Sequence, residues 1–355
     1  MDLLKALILA SEKAANIARV CRKHEHLFDL LVQRKTKKEA NPRFIDDFKT
    51  LADVLIQEMV KHDIGSQFQE LSSHIKGEEN NVFRNQLGQE ICVEVMPSQQ
   101  ETSNLLEKVL NGDRIAAELL AAEVHKEIEL AEINTTIPQQ DFCIDLTELG
   151  VWIDPIDCTA EYIHGGSGKC DRKIHLDGLK CVTVLIGVFN RASGVPVMGV
   201  INRPFLDEVD YQYSQQCIWG VSVENFNTNS GVNMTERQNI VCVSSSEDIG
   251  IKEKLELNGF HLVEASGAGY KILAVILGLA DAYLLSKGTT FKWDTCAPQA
   301  ILKSLGGDIV SFKENIECQE KMITYSIGEA DCNTNGIIAF RRRDVLEDIT
   351  HILKT

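Results

Sequence analysis

Apolar residues near the start of the chain recur at helical spacing. Leu4, Ile8, Ala15, Ala18, Phe28 and Leu31 share one face, which predicts an amphipathic helix over residues 3–32. The opening residues lack a basic start and are interrupted by Lys5, so they read as part of that helix rather than as a signal peptide. A basic, polar break over 34–43 reads as a solvated loop around its lysine cluster. Phe44, Phe48, Leu51, Leu55 and Met59 then predict a second helix over 42–62. Asp46, Thr50, Asp53 and Gln57 fall on another of its faces, placing Asp53 on a rigid element outside the core. Residues 91–95 read as a strand, and 101–124 as helix broken at Gly112.

Beyond this the period changes. Residues 149–153 are continuously apolar and β-branched, as in a strand covered on both faces. Residues 181–190 and 195–202 read as strands joined across Arg191-Ala192-Ser193-Gly194, and 211–219 adds another. The polar, Asn-rich stretch 224–239 has little to bury and marks a boundary. After it the pattern alternates: strand 240–243, a helix from Glu247, strand 261–264, a helix after Gly267, strand 282–285, a helix after Trp293, strands near Ile309 and Ile337, and a closing helix. The expected class is α/β (α+β) in two lobes, 1–225 and 226–355, with 355 residues more than one core usually holds.

Composition narrows the partners. Hydrophobic residues make up 44% with no apolar run long enough for a membrane span, and the net charge of −16 argues against nucleic acid and anionic membranes. Eleven cysteines without a C-x-x-C pair fit reduced thiols in a cytoplasmic protein. The nine histidines show no metal-ligand spacing.

The candidate chemistry lies in Val151-Trp152-Ile153-Asp154-Pro155-Ile156-Asp157-Cys158-Thr159. Pro155 ends ladder pairing and forces a turn, so that Asp154 and Asp157 converge with the Ile156 carbonyl, which has no evident strand partner. Three hard oxygens suit Mg²⁺. Cys158 and Thr159 would open a helix whose unpaired N–H groups favour an anion, and the same dipole would lower the Cys158 thiol pKa. The short acidic string alone is accounted for better by a strand-end turn with a capping aspartate. Glu78-Glu79 alone is an ordinary surface pair. Gly267-x-Gly269 opens a helix presenting Lys271, and Asp294 heads another, where an N-cap role is equally simple. Three strand-to-helix turns bearing carboxylate or glycine raise the functional reading.

Together these residues resemble the lithium-sensitive, Mg²⁺-dependent phosphomonoesterase family that includes inositol monophosphatase and fructose-1,6-bisphosphatase. Trp152 to Thr159 match its W-[IV]-D-P-[IL]-D-[GS]-T motif, Trp293 to Ala297 its W-D-x-[CA]-A motif, with a Glu pair upstream. The likeness covers nearly the whole chain and is greatest to members acting on inositol polyphosphates. It implies a layered αβαβα fold with the site between the lobes. It implies two or three Mg²⁺ held by Glu78, Glu79, Asp154, the Ile156 carbonyl, Asp157 and Asp294, with Li⁺ as inhibitor. Asp53 and Thr159 would orient and deprotonate the attacking water. Asp157, Cys158 and Thr159 would hold the scissile phosphate, and Ser246, Gly267, Ala268 and Lys271 the rest of the substrate.

The implied reaction removes the 1-phosphate from inositol 1,4-bisphosphate or inositol 1,3,4-trisphosphate, with this small molecule as the partner of a monomeric enzyme. The alternatives are a 3′(2′),5′-bisphosphate nucleotidase of the same family and an inactive relative kept for binding. Three departures stand out: Cys158 replaces Gly or Ser, Glu247-Asp248 follow Ser246 where a lysine is expected, and the segments near 224–239 and 318–332 are short.

Overall fold

A capping box decides where the second helix begins. The Thr50 hydroxyl accepts from the Asp53 N–H (3.2 Å) while the Asp53 carboxylate accepts from the Thr50 N–H (2.6 Å). Helix α2 therefore spans Leu51–Gln67, and Phe48–Thr50 is a short strand paired with Val32–Arg34. The expected helix over 42–62 is corrected accordingly: apolar spacing carried the helical period across a boundary that polar caps set. Helix α1 is Asp2–Lys23, and Val32 belongs to the short strand, so the expected helix over 3–32 does not reach residue 32. The computed structural model describes residues 1–23, 32–35, 48–85, 87–133, 135–138, 142–209, 212–213, 216–224, 226–233, 236–317, 319–326, 328 and 330–354. Parts of both helix expectations, at 24–31 and 42–47, lie outside these residues.

Helices α3 (Gln99–Val109) and α4 (Arg114–His125) are split at Asn111-Gly112, both left-handed with φ 57° and 93°, where the sequence placed the break. The strand expected over 91–95 is Glu90–Cys92.

Two sheets follow. The first contains β1 (Ile75–Gly77), β2 (Leu149–Asp157), β3 (Thr183–Asn190), β4 (Pro196–Arg203), β5 (Gln216–Val223) and β6 (Phe226–Asn229), in the order β6-β5-β4-β3-β2-β1. All neighbours are antiparallel except β1 with β2. β2 does not end at Pro155. Its register against β3 shifts between Asp154 and Asp157 and pairing resumes at Asp157 with Thr183, so the proline is absorbed in a bulge. The second sheet has the order β8 (His261–Glu264), β7 (Ile240–Val243), β9 (Ala282–Leu285), β11 (Ile337–Phe340), β10 (Asp308–Ser311). The chain passes from one sheet to the other between Asn229 and Ile240, and β6 lies inside the polar stretch read as a boundary.

Three apolar clusters separate the layers. One packs α1 and α2 on the first sheet, and a second fills the space between the sheets with α7 (Ala268–Ile276) and α8 (Lys292–Ser304). The third covers the second sheet with α6 (Ile249–Leu257) and α9 (Arg343–Lys354). This is the expected α+β layering, αβαβα.

A row of glycines sets the position of α8. Gly187, Gly199 and Gly220 lie side by side on β3, β4 and β5. A Cβ would stand 2.4 Å from the Ala297 nitrogen at Gly187, 2.1 Å from the Ala297 oxygen at Gly199 and 2.8 Å from the Ile301 Cα at Gly220. The helix backbone thus rests on the sheet backbone. Among the described residues ten cysteines are free, and no helix is long and apolar enough to cross a membrane.

Candidate metal centre

The bulge in β2 and the seating of α8 bring three carboxylates together. Ligand oxygens of Asp154, Asp157 and Asp294 all lie within 4.8 Å of one another. Exposures of 1%, 6% and 9% remove them from solvent. All three carboxyls are pushed above the ordinary aspartate range, first by burial. Neighbouring carboxylate charge adds to this, from Glu78 and Asp157 at Asp154 and from Asp157 and Glu78 at Asp294.

At Asp157 the Lys271 charge and hydrogen bonds oppose the shift: Oδ2 accepts from Thr183 Oγ1 (3.2 Å) and the Tyr270 N–H (3.3 Å). Asp294 is the third residue of α8 rather than its N-cap, and its Oδ2 accepts from the Phe291 N–H at 2.6 Å. Asp154 Oδ1 is buried without a hydrogen-bond partner. Clustered buried anions with an uncommitted oxygen fit a hard divalent cation.

The glutamate pair enters from β1. Gly77 pairs with Ile153, and the Glu78 N–H donates to the Ile153 carbonyl (3.1 Å), so the pair emerges beside Asp154. Gln57 clamps it in place, its Oε1 accepting from the Glu79 N–H (2.9 Å) and its amide donating to the Glu79 carbonyl. Glu79 is buried, and burial with the Glu78 charge raises its carboxyl to about 8. Asp53 is fully buried, correcting the expectation that it lies outside the core. Burial lifts it to about 7 against the pull of Thr50, and its Oδ1 has no partner.

The Lys35 amine bridges the pair, 2.5 Å from Glu78 and 2.6 Å from Glu79, with its side chain 3% exposed. Lys35 belongs to the cluster read as a solvated loop, so for this residue that expectation fails. The desolvated acids recruit a cation that a charge count cannot single out. Lys35→Met should destabilise the metal-free protein by roughly 3 kcal/mol, the scale for breaking a buried ion pair. Added Mg²⁺ should recover part of the loss. Equal melting of variant and parent in EDTA would contradict this.

The raised carboxyls also fix a pH dependence. The ordinary values of Asp53 and Glu79, 3.8 and 4.5, are those of an unfolded chain, so between them and about 7 to 8 the folded metal-free protein binds more protons. Stability gained by protonation is fully present below the unfolded values and lost as pH rises through 7 to 8. In EDTA the protein should therefore melt higher at pH 6 than at pH 8.5. The difference should shrink in Glu79→Gln.

The turn expected to face a phosphate departs from expectation at Cys158. That residue is left-handed (φ 75°) and caps the six-residue helix α5 (Thr159–His164) without a side-chain hydrogen bond. Burial and the Asp157 charge push its thiol well up, so the expected lowering by the helix dipole is overturned. The Thr159 hydroxyl donates to the Ile156 carbonyl (3.1 Å), the partner the sequence did not reveal. A carbonyl oxygen keeps a second lone pair for a cation.

Farther out, the Gly267-Ala268-Gly269 turn wraps Asp157. A Cβ at Gly267 or Gly269 would lie 3.0 or 2.9 Å from Asp157 Oδ2. Lys271 is buried, donating to the Ala265 carbonyl (2.9 Å) and lying 5.0 Å over the Tyr283 ring, so it is not presented to solvent. Ser246 Oγ lies 3.0 Å from Ser244 Oγ. Glu247 receives the Ser286 N–H (2.9 Å) and hydroxyl, and Asp248 caps α6 at the Ile251 N–H (3.1 Å). The acidic pair thus ties strand ends together. Lys287, overlooked in the sequence, donates to the Ser246 carbonyl and supplies an exposed cation beside it.

The chain is similar over almost its whole length to the inositol polyphosphate 1-phosphatases of Mus musculus and Homo sapiens. The first is 41% identical over 379 residues, 98% of this chain and 95% of the relative; the second is 40% identical over 388 residues, 99% and 97%. Likeness to a Homo sapiens 3′(2′),5′-bisphosphate nucleotidase is weaker, 28% over 66% of this chain and 70% of the relative. An IMPase/NADP phosphatase solved with Mg²⁺ and phosphate shares the fold, with TM-score 0.56 at 14% identity over 100% of this chain and 97% of its own. The inositol monophosphatase family model matches residues 55–353, a span that holds the acidic turn, the glutamate pair and Asp294, and the chain belongs to that family.

Proposed function

We propose that this chain is a Mg²⁺-dependent phosphoric monoester hydrolase that removes the 1-phosphate from inositol polyphosphates such as inositol 1,4-bisphosphate and inositol 1,3,4-trisphosphate. The observation that carries this reading is the coincidence of near-full-length likeness to inositol polyphosphate 1-phosphatases with a buried cluster of carboxylates at two strand-to-helix turns.

Glu78, Glu79, Asp154, Asp157, Asp294 and the Ile156 carbonyl would hold two or three Mg²⁺. Bound there, the metal supplies positive charge that lowers the pKa of a water and offsets charge on the phosphate and leaving oxygens. Asp53 accepts a proton at its uncommitted Oδ1, while Thr50 fixes the other oxygen. Thr159 orients the attacking water, and the backbone N–H groups of Cys158 and Thr159 face the scissile phosphate. Ser246 and the Gly267-Ala268 turn form the outer rim with Lys287, whose exposed amine is better placed for a distal phosphate than the buried Lys271. The same reading carries inhibition by Li⁺, action as a monomer in the cytoplasm, and lobes 1–225 and 226–355 enclosing the site.

The test is substrate choice. A nucleotidase must seat a flat adenine on apolar or aromatic surface, whereas an inositol polyphosphate offers only hydroxyls and phosphates. Inositol 1,4-bisphosphate should exceed 3′-phosphoadenosine 5′-phosphate in kcat/KM by about a hundredfold, near 3 kcal/mol of selective transition-state binding. A faster nucleotide reaction would move the assignment to the nucleotidases, and no phosphate release in Mg²⁺ would mark an inactive relative.

A further inference from the structure

The Cys158-Thr159 turn and the Gly267-Ala268-Gly269 turn are distant in sequence, yet one side chain spans them. Glu161, half-buried in the first turn of α5, accepts from the Ser266 hydroxyl with Oε1 (3.0 Å) and from the Gly178 N–H with Oε2 (2.7 Å). Ser266 immediately precedes the glycine turn. Gly178 closes a loop over 165–178, where the Leu179 N–H donates to the Gly166 carbonyl (2.9 Å) and the Lys169 N–H to Asp177 Oδ1 (2.6 Å). Gly178 is left-handed (φ 81°), and a Cβ there would stand 2.7 Å from the Gly168 nitrogen, so the loop is tightly drawn together. The loop also leans on the glycine turn. The Ser266 N–H donates to the Leu176 carbonyl (2.8 Å), and the His175 N–H to the Tyr270 hydroxyl (2.8 Å).

These contacts close a ring. On its inner side the glycine turn is tied to Asp157, whose Oδ2 accepts from the Tyr270 N–H (3.3 Å). On its outer side it is tied to Glu161. The inner tie draws on a carboxylate proposed to hold metal, and the outer tie draws on none. The acceptor chemistry is specific: the Gly178 N–H can only donate, whereas the Ser266 hydroxyl can donate or accept. A carboxylate meets both groups, and so does an amide, with its oxygen toward Gly178 and its NH₂ toward Ser266. A methyl group meets neither. The charge of Glu161 works against an anion. Burial and then that charge push the Cys181 thiol up to about 12, and a Cβ at Gly267 would lie 3.2 Å from the Cys181 carbonyl oxygen. Negative charge felt beside the glycine turn opposes a phosphate there, so the contribution of Glu161 lies in its two hydrogen bonds.

We propose that Glu161 is a positioning residue: it holds the Ser266–Gly269 turn at a set distance from Cys158 and Thr159, and so sets how the far end of the substrate fits while its phosphate is cleaved. This rests on the phosphatase reading above.

The test compares full-length Glu161→Ala, Glu161→Gln and Ser266→Ala with the parent. Glu161→Ala should raise KM for inositol 1,4-bisphosphate about tenfold, the scale of a hydrogen bond to a charged group, while kcat falls by less than about threefold. Glu161→Gln keeps both bonds without the charge, and its KM should stay within about twofold of the parent or fall. Ser266→Ala removes one bond and should lie between, and combining it with Glu161→Ala should add little. Amide hydrogen exchange in EDTA needs no turnover. It should quicken at residues 176–179 and 265–270 in Glu161→Ala but not in Glu161→Gln, with β2 and β3 unchanged. The proposal is overturned if the Ala and Gln variants share one KM, since charge alone would then act. It is equally overturned if exchange at those amides is the same in every variant, or if it quickens alike across the sheet, which would mark a general loss of stability. A parent that releases no phosphate overturns the phosphatase reading instead, and the exchange pattern still decides whether Glu161 holds the turn.

Discussion

Asp157→Asn or Asp294→Asn is expected to lower kcat on inositol 1,4-bisphosphate at ordinary Mg²⁺ by about a thousandfold or more, roughly 4 kcal/mol of transition-state stabilisation. Each substitution removes one charge from a preformed set of acids whose oxygens lie within 4.8 Å, and an amide cannot replace a carboxylate against a hard dication. Neither should unfold the protein. At position 294 the amide oxygen can still accept from the Phe291 N–H, and losing one of several mutually repelling charges relieves the metal-free state. The expected pattern is therefore a dead enzyme that melts as high as the parent, or higher, in EDTA. Near-normal turnover in either variant would remove these residues from the metal site.

Gly199→Val is expected to fail in the opposite way, through the scaffold. A Cβ at this position would stand 2.1 Å from the Ala297 oxygen, so α8 must lift from the sheet, and Asp294 lies three residues upstream on the same rigid helix. Overpacking against backbone has no flexible side chain to yield, and a loss of about 3 kcal/mol or more is expected, with a marked fall in melting temperature and in activity. Gly65→Ala is the control. Its Cβ would meet nothing nearer than 3.4 Å inside α2, and replacing a helical glycine there should gain up to about 1 kcal/mol. A Gly199→Val protein that melts like the parent would show that close helix-on-sheet contact does not set the position of Asp294.

Much of this architecture was legible in the residues themselves. The period change near Leu149, the Arg191–Gly194 hairpin and the strand-helix alternation after Ile240 each report a local preference that the packed molecule keeps. The convergence of Asp154, Asp157 and Asp294 was legible only as a motif, because the distance between β2 and α8 is set by glycines that lie far along the sequence from both. What the sequence hid follows from burial. Lys35 and its neighbours are indistinguishable by type, yet its amine sits between two glutamates. Lys271 stands beside a glycine turn and still turns inward, because Ala265 and Tyr283 offer its amine a carbonyl and a ring. Cys158 starts a six-residue helix, but burial, with the Asp157 charge beside it, outweighs any lowering of its thiol by the dipole. Capping at Thr50 moved a helix boundary that apolar spacing had carried several residues too far upstream.

The most direct test follows inositol 1,4-bisphosphate by ³¹P NMR with the full-length protein, in Mg²⁺ and then in EDTA. In Mg²⁺ the 1-phosphate resonance alone should be lost as inorganic phosphate grows, leaving inositol 4-phosphate, and EDTA should stop the reaction. Release of the 4-phosphate instead, or equal turnover in EDTA, would contradict the assignment.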